Sequence, residues 1–200
     1  MKEMKTVLFR NHIKSYLLIS GISILIGALM AFFSIFPADD LWGFSYFGYS
    51  TIAFMVTFST LIALFSTKQF VAGLHVALFV FFTYYITGIF RRVLVVIGGA
   101  NEWSYVFQGF GEELGYAVPY AFASLVMGVL LWYQRYRKGW CIFIRVLPLI
   151  VAAIETIIFL VQFISLRQGL FILILDGLCT AVCVLVVIFD TTYDLEYQGL

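Results

Sequence analysis

Charge is the scarcest commodity in this sequence. Lysine, arginine, aspartate and glutamate make up 12% of the 200 residues and hydrophobic residues 63%, about half the charge of an ordinary soluble domain. A water-soluble fold could not hide that much apolar surface. Histidine occurs only as His12 and His75, too separated for a zinc site. Cys141, Cys179 and Cys183 all fall in or beside apolar segments, so they offer no disulfide framework in outer loops, and Cys179-x-x-x-Cys183, without further ligands, reads as a pair of small packing residues. No phosphate loop, dinucleotide fingerprint or serine elbow occurs. No metal, cofactor, catalytic residue or nucleic-acid partner is therefore expected. With no Pro- or Ser-rich linker and no long polar tract, residues 1–200 read as one membrane domain.

What is present in quantity is apolar chain in lengths that suit a bilayer. Crossing the hydrocarbon takes about 20 largely apolar residues. Six segments qualify, at about 15–36, 45–66, 70–90, 115–133, 141–165 and 169–189. In lipid each must be helical, because an unpaired strand would leave its backbone groups without partners. The expectation is an all-α, polytopic six-transmembrane-helix bundle in a cell membrane, with a long outer loop at 91–114. The basic lead of Lys2, Lys5, Arg10 and Lys14 precedes an apolar run too long for a signal-peptide core, and is read as the approach to a first spanning helix.

Orientation follows from the basic residues. With the N-terminus inside, nine of the 12 lie on that side: the four in the lead, then Lys68, Arg135, Arg137, Lys138 and Arg145. Only Arg91, Arg92 and Arg167 fall outside, which favours an N-in/C-in arrangement. Trp42, Trp103, Trp132 and Trp140 sit near the expected membrane surfaces as interfacial anchors. The tail with Asp190, Asp194 and Glu196 reads as a solvated end.

Small residues recur at helical spacing. The first segment carries Ser20, Ser23, Gly27, Ala31 and Ser34, the third Gly73 and Ala77, the fourth Ala117, Ala121, Ser124 and Gly128. Such stripes let helix backbones approach closely. They serve packing within the chain or the docking of a partner subunit or second copy, with Gly27 and Ala31 as candidates. The second segment lines up Ser50, Ala53, Thr57 and Thr60; hydroxyls of this kind can bond their own backbone carbonyls and make a weak signal.

The costly groups are more informative. An ionisable side chain at membrane depth costs about 2.5–3.5 kcal/mol on insertion scales and normally has a partner or a wet cavity. Glu155 and Asp176 lie about 15 and 10 Å from the outer ends of their segments, at 1.5 Å per residue. Glu155 shares a helix face with Gln162, while Tyr84 and Tyr85 each sit two turns before an arginine, Arg91 or Arg92. This pattern predicts an outward-facing polar chamber roofed by Glu112 and Glu113, in which an arginine pairs with Glu155 or Asp176 or binds an anionic group.

Three resemblances bear on these residues. Gly111-Glu112-Glu113-Leu114-Gly115-Tyr116 resembles the start of the glutamate-pair motif of CAAX-type intramembrane proteases. Ala117 stands where that motif has arginine, and no histidine follows His75, which excludes the protease activity. Six helices in about 200 residues, with a small-residue stripe on the first and an outer polar chamber, look like the substrate-capturing membrane subunits of energy-coupling-factor vitamin transporters. That resemblance implies that Gly27 and Ala31 dock a coupling subunit. Finally, Phe65-Ser66 through Tyr84-Tyr85 and Trp132-Tyr133 through Gly139-Trp140 resemble an uncharacterised family of six-helix bacterial integral membrane proteins. Together these readings favour binding or transport of a small polar or anionic solute. The alternative is an accessory or sensor protein that docks a partner through its stripes; an enzyme ranks third.

Overall fold

The computed structural model describes residues 8–37, 39–49, 52–136 and 139–188, with no side-chain detail at Tyr49. Lys2, Lys5, Arg137 and Lys138 of the orientation count, Ser50 of the hydroxyl face, and the acidic tail lie outside these residues. The helices are α1 (Ile13–Phe33), α2 (Tyr46–Tyr49), α3 (Ile52–Leu64), α4 (Gln69–Ile97), α5 (Trp103–Trp132), α6 (Cys141–Leu166) and α7 (Leu170–Ile188), with a 3₁₀ turn at Tyr133–Arg135. Five of them, α1, α4, α5, α6 and α7, are long and apolar enough to cross a membrane.

Of the segment expected as one helix at 45–66, α2 and α3 are the described helical parts, and 50 and 51 lie outside the described residues. At 13 residues α3 is about 20 Å long, short of the ~30 Å hydrocarbon layer. It is nonetheless the centre of the molecule: nine of its 13 residues are buried, and it packs against α4, α5, α6 and α7. Only five of the 30 residues of α5 are buried, and its Tyr116, Val118, Phe122 and Val126 are exposed in the way lipid-facing residues would be.

The expected outer loop at 91–114 is corrected. α4 runs on to Ile97, α5 begins at Trp103, and only 98–102 connect them. At about 43 and 45 Å both helices outrun the hydrocarbon layer. Gly98 and Gly99 do end α4, Gly99 with φ +77°. Gly109, Gly111 and Gly115 sit inside α5, and Gly109 packs directly on the Arg92 side chain. Glycine at that position marks close helix packing.

The same device runs the length of the α4–α5 hairpin. A Cβ at Gly73 would lie 2.8 Å from the Leu125 carbonyl oxygen, and one at Gly128 2.9 Å from that of Ala72. Van der Waals packing of this kind, with backbones nearly touching, replaces the hydrophobic effect among helices in lipid.

α1 lies on the other side of α4. Gly27 meets the Thr83 carbonyl, and Thr87 Oγ1 donates to the Gly27 carbonyl oxygen at 3.1 Å. Gly27 and Ala31 are both buried. Their assignment as a docking surface is therefore corrected: α4 of the same chain already covers that face.

Candidate functional site

The site is built from the two ends of α3. A helix leaves its first N–H groups and last carbonyls without internal partners, and its aligned peptides put partial positive charge at the start and negative charge at the end. In most membrane helices water and headgroups satisfy those ends. Here other helices do so.

At the C-terminal end of α3, Arg135 is buried and its Nη2 donates to the carbonyls of Ala63, Leu64 and Ser66 at 3.3, 2.6 and 2.8 Å. Gln134 Nε2 donates to the Thr60 carbonyl at 2.8 Å, and Trp132 Nε1 to that of Ser66 at 3.3 Å. Trp132, expected as a lipid anchor, also lies under the Arg135 guanidinium at 4.6 Å. Phe9 adds an isolated backbone bridge to Ser66 from the segment before α1. A fixed cation at a helix C-terminus is the favourable sign. From sequence Arg135 counted only as one more inner-side charge; nothing in the linear pattern distinguishes a buried cap from an interfacial arginine.

At the other end, Glu155 of α6 accepts a hydrogen bond from the Ala53 backbone N–H in the first turn of α3. An acid at a helix N-terminus again has the favourable sign. This contact lies at the opposite end of α3 from the Arg135 cap. The acid that looked like a ligand group therefore also has a structural task.

Asp176 lies beside it. Thr57 Oγ1 and Cys183 Sγ are 3.4 Å apart, which sets the register of α3 against α7. Counting back along both helices places Asp176 about one turn beyond Ala53, just off the start of α3. Thr156 Oγ1 and Thr180 Oγ1, 2.9 Å apart, tie α6 to α7 one turn further in. Asp176 is 0% exposed, and neither of its carboxylate oxygens has a hydrogen-bond partner among the described residues. Glu155 acts on it electrostatically, and Tyr84 of α4 in turn lies within electrostatic reach of Glu155.

The other expected site residues are used differently. Arg91 donates from Nε to Ser34 Oγ and from Nη2 to the Gly48 carbonyl, each at 3.2 Å, joining α4 to the end of α1 and to α2. Arg92 pairs with Glu112 at 2.6 Å and Glu113 at 2.9 Å and lies 4.6 Å from the centre of the Tyr105 ring. The expected arginine–acid pairing within the chamber is thus corrected for Arg92: the acids it meets are those of the roof, which reach it because α5 is already helical there. Tyr84 stacks on Tyr120 of α5, whereas Tyr85 stacks on Phe81 of its own helix. Gln162 is half-buried towards the outer end of α6.

Neither acid opens to the surface. Glu155 is 6% exposed and Asp176 not at all, so the acid pair is enclosed between α3, α6 and α7. A cavity of about 210 Å³ is found elsewhere, beside the C-terminal half of α3, lined by Phe9, Ile19, Phe58, Phe79 and other apolar side chains. Its surface offers a polar solute nothing.

No protein-family model matches this chain, and no match to it is found among curated proteins or solved structures. Its geometry is what there is to argue from.

Proposed function

We propose that the chain is a multi-pass membrane protein of six crossings, N-in and C-in, that binds or passes a small polar solute at the Glu155–Asp176 pair. The sixth crossing is α2 and α3 taken together. α2 lies by Ser34 and Arg91 at one end of the bundle, and α3 finishes by Phe9 and Arg135 at the other. The observation that carries the reading is the buried acid pair, Glu155 on the Ala53 N–H of α3 and the fully enclosed Asp176. Acids at membrane depth are functional sites by default.

The solute's charge follows from what surrounds the pair. An anion would need the arginines, yet Arg91 and Arg92 are committed to Ser34, Gly48, Glu112 and Glu113. Two carboxyl groups favour a neutral or cationic solute with hydrogen-bond donors. Access requires α6 and α7 to part from α3, so the enclosed arrangement is the occluded form. The accessory-protein alternative is weakened because the Gly27–Ala31 stripe is spent inside the chain.

The test is thermal unfolding of purified protein in detergent against a panel of small amines, amino acids and polyols. A ligand that favours the folded state raises its stability with concentration. At least one compound should stabilise the parent protein and lose that effect in Asp176→Asn. A panel that moves neither protein, alongside stoichiometric co-purification of another membrane protein, would overturn the reading in favour of an accessory role.

A further inference from the structure

We infer that the apolar cavity between α1 and α3 holds one acyl chain of an anionic phospholipid, whose headgroup sits on Arg10, Lys14 and Lys68. This site is separate from the acid pair and does not depend on it.

The cavity follows from how three helices pack. α1 and α3 both lean on α4, and the space left between them is the cavity of about 210 Å³. Its floor is Ile19, Ile62 and Phe79, all buried. Its mouth is marked by Leu8 and Ile22, which line it yet are 62% and 39% exposed. Leu18, Ile22 and Leu25 are exposed along one stripe of α1, the stripe that lipid would cover. The cavity therefore opens where acyl chains are at hand. Its lining contains no polar side chain, and an apolar cavity of about 150 Å³ already stays dry and admits a molecule the size of benzene. Hydrocarbon entering from the bilayer restores the dispersion contacts that a void forfeits. A stretch of one acyl chain is the occupant that size and lining suit.

Charge at the rim selects the headgroup. Phe9 and Phe65 both line the cavity, and the Phe9 backbone bonds to Phe65 and Thr67. Arg10 and Lys68 follow directly on Phe9 and Thr67, while Lys14 lies on the Ile22 face of α1, two turns or about 12 Å before it. All three are exposed, and none is in an ion pair among the described residues. No described acid offsets them: Asp39, Asp40, Glu102, Glu112 and Glu113 lie towards the opposite end of the bundle, and the buried pair at the far end of α3. An anionic headgroup gains about fivefold in binding for each such cation it engages, which a zwitterionic one does not. A single lipid thus answers both features, with its chain in the slot and its phosphate at the rim.

Native mass spectrometry of the purified full-length protein, with phosphatidylglycerol or phosphatidylcholine of identical chains added to the detergent, tests both halves. One phosphatidylglycerol per chain should bind about fivefold or more tightly than phosphatidylcholine. The triple substitution Arg10→Gln, Lys14→Gln and Lys68→Gln should abolish that preference, and Ile22→Trp, which plugs the mouth, should weaken binding of both lipids. These four positions are exposed, so the variants should fold, and circular dichroism checks that they do. The comparison of the two lipids on the parent protein is decisive by itself if the preference is missing. Equal binding of the two lipids, a preference that survives the triple substitution, or undiminished binding to Ile22→Trp would each overturn the inference, the last in favour of a lipid lying on the outside of α1. None of these outcomes bears on the solute reading of Glu155 and Asp176.

Discussion

Gly27 offers the cleanest test of how this bundle is held together. A methyl group there would place its carbon 2.7 Å from the Thr83 carbonyl oxygen, 3.1 Å from Ile86 Cβ and 3.3 Å from Ile86 Cγ2, where ordinary contact begins at 3.4 Å. The obstacle is backbone, so α1 and α4 must part by about 0.7 Å, at an overpacking cost of about 1–3 kcal/mol. The same movement stretches the 3.1 Å bond from Thr87 Oγ1 to the Gly27 carbonyl beyond useful length, adding up to about 1 kcal/mol. Replacing glycine by alanine within a helix returns about 1 kcal/mol. The net expectation for Gly27→Ala is a loss of about 2 kcal/mol. Gly21, on the same helix with nothing within 4 Å of its would-be Cβ, is the control, and Gly21→Ala should be neutral or slightly stabilising. Reversible unfolding in mixed micelles, followed by far-UV circular dichroism, measures both. Equal stability of the two variants would refute the claim that this face is an internal seam. So would a Gly27→Ala protein of unchanged stability that has lost only association with another subunit.

Two further perturbations test the clamps on α3 and on the hairpin. Arg135→Met strips its guanidinium hydrogen bonds from three carbonyls at the end of α3 and should cost at least about 2 kcal/mol, with faster amide exchange around 60–66. Arg135→Lys should recover only part, because an ammonium cannot reproduce the guanidinium fork; a methionine variant as stable as the parent would refute the cap. In the hairpin, Glu112 is largely exposed and Glu113 largely enclosed beside the same Arg92. Glu112→Gln should therefore change stability by less than about 0.5 kcal/mol, and Glu113→Ala by more. A Cβ at Gly88 would fall on the Glu113 carboxyl group, so Gly88→Ala and Glu113→Ala should cost less together than the sum of their separate effects. Simple additivity in a double-mutant cycle would count against that contact.

Composition and hydropathy alone determined the solvent and the class of fold. So much apolar chain in lengths near 20 residues has to be helical in lipid, and five helices of that kind are present. The depth rule also picked out Glu155 and Asp176, because a charge surrounded by leucine, isoleucine and phenylalanine is conspicuous in one dimension. Hydropathy could not show that α3 would be the buried centre of the bundle, since an apolar stretch facing lipid and one facing protein look alike to it. Nor could it show that 91–114 is mostly helix: charges and glycines there resemble a loop until Arg92 meets Glu112 and Glu113 across the hairpin and Gly109 meets Arg92. Partner choice was settled only in three dimensions. Whether Gly27 faces another protein or its own α4, whether Arg135 sits in headgroups or beneath α3, and which carboxyl group receives the Ala53 N–H all depend on helix rotation and register. Those are set by contacts between segments up to 129 residues apart, a separation that no local pattern encodes.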